Sequence, residues 1–230
     1  MKTIGMIGGT GWPSTLEYYR LINHETNRRL GGLNSAKIVL SSFNYAEVDA
    51  LNKKEDHAGV YKLVLDAAQR LVKASVDCFV ICANTLHQYA DELEKTTGLS
   101  VVHIADATAN EIKKTGISKI GLLGTRFTME MDFYTKRLRE AGIESTVPPK
   151  AEREFIHNTI MDELLKEIFR KETKEKFLNI INELETKGAQ GIVLGCTEIP
   201  LLINQSDTNL PVFNTLEIHA KAAVDFALND

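Results

Sequence analysis

Apolar residues recur along the chain in two periods, short continuous runs and stretches spaced three and four apart. The run Thr3-Ile4-Gly5-Met6-Ile7 predicts a buried strand leading into Gly8-Gly9-Thr10-Gly11, where glycine permits a tight turn and close backbone approach to a ligand. A helix is expected next: Ser14 and Glu17 have capping-box spacing, Leu16, Tyr19 and Ile22 share a face, and Gly31-Gly32 stops it. Ala36 to Ser42 predicts a second strand and residues 44–57 a loop or short helix. Val60, Leu63, Val64, Ala67, Ala68 and Leu71 then mark an amphipathic helix. Asp77 to Cys82 predicts a third strand ending in Ala83-Asn84-Thr85, with Asn84 a candidate cap for the helix beyond. Val101 to Ile104 predicts a fourth strand, and Asp106 is a candidate N-cap for the helix through Lys113.

From Lys119 the pattern begins again. Lys119-Ile120-Gly121-Leu122-Leu123-Gly124-Thr125 echoes the first strand, and Met131, Tyr134 and Leu138 follow at helical spacing. Ile143 to Val147 predicts a strand, Pro148-Pro149 a break, and residues 152–187 two helices divided near Glu172-Thr173, with the charges of residues 166–187 on a solvated face. Gln190 to Leu194 echoes Asp77 to Cys82, and Pro211-Val212-Phe213 echoes Val101-Val102-His103. Ile4 matches Ile120, Ala83 matches Cys196 and Val102 matches Val212, at separations of 116, 113 and 110 residues. Near-constant separations indicate an internal duplication. Strands alternating with helices predict α/β architecture: two pseudo-symmetric, doubly wound domains with mainly parallel sheets and ligand groups at the carboxyl ends of the strands. The expected division is 1–105 and 106–214, with a C-terminal helix over 215–230 available to complete the first domain. Two such halves are expected to share one cleft.

At 230 residues with 43% hydrophobic and 25% charged positions, the chain has an ordinary globular balance. A net charge of −4 offers no basic field for a phosphate backbone, so nucleic acid is not an expected partner. No apolar run reaches the ~20 residues of a membrane span, and the apolar stretch after Met1 is too short for a signal peptide, so no membrane association and a cytoplasmic location are expected. Three cysteines, an odd number, point to free thiols in a reducing compartment. No CxxC or Cys/His ligand spacing is present, and no metal site is expected. Gly9-x-Gly11-x-x-Ser14 lacks the last glycine of a dinucleotide fingerprint, and no acidic residue closes a clear second strand, so a nicotinamide cofactor is not expected.

The chemistry concentrates at Gly195-Cys196-Thr197-Glu198-Ile199-Pro200, after the apolar run Gly191-Ile192-Val193-Leu194. A thiol where a buried strand ends and a helix begins lies beside unpaired backbone N–H groups, which favour thiolate. The bland alternative is a small core hydrophobe. If the halves face each other, the turns at Ala83-Asn84-Thr85 and Cys196-Thr197-Glu198 lie on opposite sides of a tetrahedral carbon, where proton removal and return need them.

Four stretches together resemble the aspartate/glutamate racemase superfamily: Ile4 to Trp12, Ala83-Asn84-Thr85-Leu86-His87, Leu123-Gly124-Thr125-Arg126-Phe127-Thr128-Met129, and Gly195 to Pro200. They occur in the family's order and span nearly the whole chain, and the chain looks most similar to the branch that includes L-aspartate/glutamate-specific racemases. The resemblance implies an isomerase independent of pyridoxal phosphate and of any other cofactor, acting on a small amino-acid substrate and forming a homodimer. It implies Cys196 as one catalytic group and places Ala83, which is inert, at the position of the family's first catalytic cysteine; the L-specific branch has threonine there. Cys82, one residue early, points to the opposite face of an extended strand, so a water or the Thr85 hydroxyl is left as the donor on that side. Thr10, Asn84, Thr85, Thr125 and Thr197 are candidates for carbanion and carboxylate contacts, with turn and helix capping as their structural alternative. Glu198 is a candidate for the substrate ammonium, and Asn52 lies where the L-specific relatives carry a polar contact. His87 and His219 are a candidate symmetric pair able to polarise Cys196, against the alternative of hydrogen-bonded helical histidines. The family's side-chain-binding lysine has its nearest counterpart in Glu152-Arg153-Glu154-Phe155, where Phe155 takes its place and Arg153 is a substitute if the helix phase allows. Two other functions fit one cysteine: a decarboxylase-type lyase, as in the arylmalonate decarboxylases, and a carboxylate-binding protein without turnover.

Overall fold

A computed structural model describes residues 1–229. The chain forms two compact units, residues 1–103 with 219–230 and residues 104–218. In the first, β1 (Thr3–Gly8), α1 (Trp12–Leu30), β2 (Lys37–Ser42), α2 (Tyr45–Asn52), α3 (His57–Lys73), β3 (Cys78–Ile81), α4 (Ala90–Thr97) and β4 (Ser100–Val101) follow in order. The second runs α5 (Ile104–Thr115), β5 (Lys119–Gly124), α6 (Arg126–Glu130), α7 (Asp132–Glu140), β6 (Glu144–Thr146), α8 (Lys150–Asp162), α9 (Lys171–Thr186), β7 (Ile192–Gly195) and β8 (Val212–Asn214). Helix α10 (Thr215–Leu228) closes the sequence and from His219 onward belongs to the first unit. There the Lys2 amide donates to the Ala227 carbonyl at 2.9 Å, and Arg29 pairs with Asp225 at 2.5 Å.

The two sheets have the same plan. Strand order is β2-β1-β3-β4 in one and β6-β5-β7-β8 in the other, and every pairing is parallel. The matching order is the architectural counterpart of the repeated sequence pattern. Central strands β3 and β7 are buried at every position, which is why they read as continuous apolar runs rather than alternating ones. In the second sheet, side chains of opposite parity feed separate cores. Leu123, Ile192 and Leu194 pack with Ile156, Phe177, Ile181 and Leu184 from α8 and α9. Ile120, Leu122 and Val193 pack with Ile104, Ile112, Tyr134 and Leu138 from α5 and α7.

Several local expectations are corrected. The N-cap of α1 is Gly11 with no side-chain capping bond, so Ser14 and Glu17 form no capping box; Pro13 sits in the first turn and Thr15 takes the local hydroxyl role. Asn84 makes no cap bond to the short 3₁₀ helix Thr85–Tyr89. Asp106 lies inside the first turn of α5 and pairs with Arg137 at 2.5 Å. The long helical tract divides at residues 163–170, earlier than Glu172-Thr173, through a 3₁₀ turn at Leu164–Lys166 and a left-handed Glu167. After Cys196 the chain forms a 3₁₀ turn, Ile199–Leu201, instead of an α-helix.

At the carboxyl end of the second sheet, Gly124 sits opposite Gly195 in the ladder, and a Cβ on Gly124 would come within 2.7 Å of the Gly195 carbonyl oxygen. Gly124→Ala is therefore expected to force β5 and β7 apart and destabilise the protein by about 1–3 kcal/mol. Urea unfolding measures this as a lower midpoint at unchanged slope, and an unaltered midpoint would show that the strands accommodate the methyl group.

Candidate active site

In the first unit, the candidate residues leave the carboxyl ends of adjacent strands, since Ile7 pairs with Ile81. After β1, Gly9 adopts φ +91°, where a side chain would be strained and would also collide with the Phe43 backbone. The Gly9 amide donates to Thr15 Oγ1 at 2.9 Å, and the Phe43 amide donates to the Gly8 carbonyl at 2.9 Å. These bonds fix the turn that carries Thr10, whose hydroxyl oxygen is buried without a hydrogen-bond partner. A buried hydroxyl left unsatisfied costs roughly 1–3 kcal/mol, which a ligand atom would recover. Thr15 escaped the sequence reading because its role depends on a turn closing back over six residues; a threonine soon after a glycine turn is the only local signal.

Beyond β3, Ala83 is half-buried and Asn84 buried. Asn52 lies apart from them in sequence, half-buried in the last turn of α2. Cys82 is fully enclosed, its sulfur 3.8 Å from the Val80 carbonyl, and burial pushes its thiol far up. Cys78 is likewise buried, its thiol pushed up to about 12 chiefly by desolvation.

The histidines do not form the expected symmetric pair. His87 and His219 both belong to the first unit, with ring centroids 5.2 Å apart, and His103 lies 4.8 Å from His87. The Val102 carbonyl can only accept, so His219 Nε2 donates to it at 2.6 Å and Nδ1 accepts from the Tyr18 hydroxyl at 2.8 Å. Both ring nitrogens are thereby committed, and no lone pair remains to polarise a thiol. Burial and neighbouring His87 push His219 down to about 3, keeping it neutral. His87 Nδ1 donates to the Ala83 carbonyl at 2.8 Å, holding the turn after β3.

In the second unit, the register of Gly124 with Gly195 brings the turns after β5 and β7 side by side. Thr125 is the N-cap of α6, its hydroxyl accepting from the Thr128 amide at 3.4 Å. Cys196 Sγ donates to Glu198 Oε2 at 2.9 Å, and Thr197 Oγ1 donates to the same oxygen at 3.0 Å. All three residues are buried, and Cys196 shares the parity of Ile192 and Leu194, which places its side chain in their core. The expected thiolate is corrected here. Backbone N–H groups of Glu198 and Thr197 do favour the anion, but burial and then the Glu198 carboxylate outweigh them, holding the group as a thiol well above its ordinary range. Among the described residues, no group of three His, Cys, Asp or Glu side chains is placed to hold a metal ion, and no helix is long and apolar enough to cross a membrane.

If the carboxylate governs the thiol, Glu198→Gln removes an anion that disfavours thiolate, and Cys196 is expected to alkylate faster at pH 8, about tenfold for each pKa unit recovered. In the parent the rate is expected to climb as pH rises above 9. Iodoacetamide labelling with peptide mass spectrometry reads both; an unchanged or slower rate in the variant would refute the electrostatic account.

The same architecture recurs among solved structures. A provisionally named Asp/Glu racemase of Yersinia pestis is 46% identical, with each chain covered completely and a TM-score of 0.92. An aspartate racemase homologue of Pyrococcus horikoshii OT3 is 35% identical over the full length of both chains, with a TM-score of 0.85. The broad specificity amino-acid racemase RacX of Bacillus subtilis (strain 168) is 22% identical over 222 residues, 96% of each chain. The model of the Asp/Glu/Hydantoin racemase family matches residues 7–223, and the chain belongs to that family.

Proposed function

We propose that the protein is a cofactor-independent amino-acid racemase that moves the α-proton of aspartate or glutamate, with Cys196 as the exchanging group. The hydrogen bond from the Cys196 thiol to Glu198 carries this reading. A thiol enclosed in a core is a poor base until its proton has somewhere to go, and the carboxylate offers a place 2.9 Å away. In the first step the sulfur's proton passes to Glu198. The thiolate then takes the α-hydrogen as a proton, becoming a thiol again, and the electron pair of the broken C–H bond stays on the α-carbon. Aimed N–H and hydroxyl donors stabilise that developing charge; Thr125 and Thr197, on the turns after β5 and β7, supply them, and Thr10, Asn52, Asn84 and Thr85 are proposed as further substrate contacts. The buried, unpartnered hydroxyl of Thr10 supports its share. Glu198, already accepting from two side chains, suits proton transfer better than the ammonium contact expected from its sequence position.

Ala83 has nothing to titrate, so the second proton donor is water or Thr85, weak acids that make inversion slower than exchange. The same residue supports a second reading, a single-cysteine lyase in which Cys196 protonates the carbanion left when a malonate loses carbon dioxide. We also infer a cytoplasmic homodimer. Free cysteines fit a reducing compartment, and the exposed α1 stripe of Trp12, Leu16 and Tyr19 fits a contact between copies.

NMR of α-proton exchange in D₂O, run on both enantiomers of aspartate and glutamate, tests the reaction. The parent is expected to exchange at least one of the four, and Cys196→Ala to lose on the order of 10²–10⁴-fold in rate. Exchange of none would sink the acidic-amino-acid reading, and carbon dioxide release from a malonate would replace it with the lyase.

A further inference from the structure

The second unit holds five arginines, and four of them grip a carboxylate. Arg137 pairs with Asp106 at 2.5 Å, Arg139 with Asp132 at 3.3 Å, Arg153 with Glu130 at 2.9 Å and Arg170 with Glu163 at 3.5 Å. Arg126 is exposed and, among the described residues, forms no ion pair. It is also the arginine nearest in the sheet register to Cys196. Gly124 and Gly195 are paired, so Thr125-Arg126 and Cys196-Thr197 leave neighbouring parallel strands at the same end, with strands ~4.8 Å apart.

Its backbone and side chain are restrained from separate directions. The Arg126 amide donates to His157 Nδ1 at 3.4 Å, and the guanidinium carbon lies 5.5 Å from the Phe127 ring centroid. Accepting at Nδ1 requires that this nitrogen of His157 be unprotonated; burial and the Arg126 charge both favour the neutral ring. Arg153, the substitute offered by the sequence for a carboxylate-binding lysine, is engaged elsewhere. Arg153 donates to Glu130 and to the Pro148 carbonyl at 2.8 Å, so it does not stand in for the family's lysine. Phe155 packs against the core, and Lys176 sits 3.8 Å over its ring. A guanidinium oriented by an aromatic ring and lacking a carboxylate is suited to bidentate recognition of an incoming one.

We propose that Arg126 binds the side-chain carboxylate of the amino acid whose α-carbon meets Cys196, making it the specificity-determining residue for acidic substrates. This assignment rests on the reading of Cys196 as the proton-exchanging group. Two measurements on Arg126→Gln and Arg126→Lys separate the two. Calorimetric titration with glutarate and with butyrate reads carboxylate recognition without turnover. The parent is expected to prefer glutarate, and Arg126→Gln to lose about 10–100-fold of glutarate affinity with butyrate unaffected, while Arg126→Lys recovers part. Deuterium exchange is expected to show the KM for glutamate rising by a similar factor at little-changed kcat, with glutamine unaffected. A parent that binds glutarate no better than butyrate, or a variant that weakens both equally, overturns the assignment. Glutarate preference that Arg126→Gln abolishes, in a parent that exchanges no α-proton, upholds Arg126 as a carboxylate site and sinks the racemase reading alone.

Discussion

The close approach of β5 and β7 governs the chemistry of the second unit. Gly124 and Gly195 face each other at the last rung of the ladder, and neither has room for a side chain: an added Cβ on Gly195 would come within 2.9 Å of both the Leu123 carbonyl and the Leu122 side chain. With the strands pressed together, the two turns that follow emerge side by side. One carries Thr125 and Arg126, the other Cys196, Thr197 and Glu198. Loss of that approach would separate a cation from a thiol before any catalytic side chain was touched.

Burial and charge act against each other at Cys196. The apolar core that positions the sulfur also withholds solvent from its anion, and the adjacent Glu198 adds a second penalty, while two backbone N–H groups work the other way. The group therefore rests as a thiol with an acceptor already in contact. A free cysteine buried this way is ordinarily an inert structural residue, and Cys78 and Cys82 illustrate it: both are buried, and neither donates to a carboxylate. The carboxylate two residues downstream distinguishes Cys196 from them.

In the first unit histidines hold the surroundings of the turn after β3. His219 bridges Tyr18 and Val102, tying α10 to the end of β4 and to α1, while His87 holds the Ala83 carbonyl. These histidines are scaffolding under the strand-end turn, and the His219 ring, edge-on to His87, stays uncharged because desolvation and the neighbouring His87 oppose its protonation.

Much of this was legible in the sequence, because burial on both faces of a parallel sheet leaves an unbroken apolar run and the chain contains such runs twice, in the same order. The glycine turn after β1, the repeated succession of strands and helices and the thiol at the end of β7 follow from residue type and spacing alone. Helix ends were not legible: Gly11 is the N-cap of α1 although Ser14 and Glu17 had the better capping pattern, and it is Thr15 whose hydroxyl accepts from the turn after β1. Neither was the protonation of Cys196 or the service of His219, for a pKa depends on which atoms surround a group once distant segments have packed around it. Sequence by itself determined the family, the two-sheet architecture and the place of Cys196 at the end of β7. Tertiary structure alone decided that the sulfur is a thiol bound to Glu198, that His219 is a strut, and that Arg126 forms no ion pair among the described residues, since each is a property of neighbours brought close in space rather than of order along the chain.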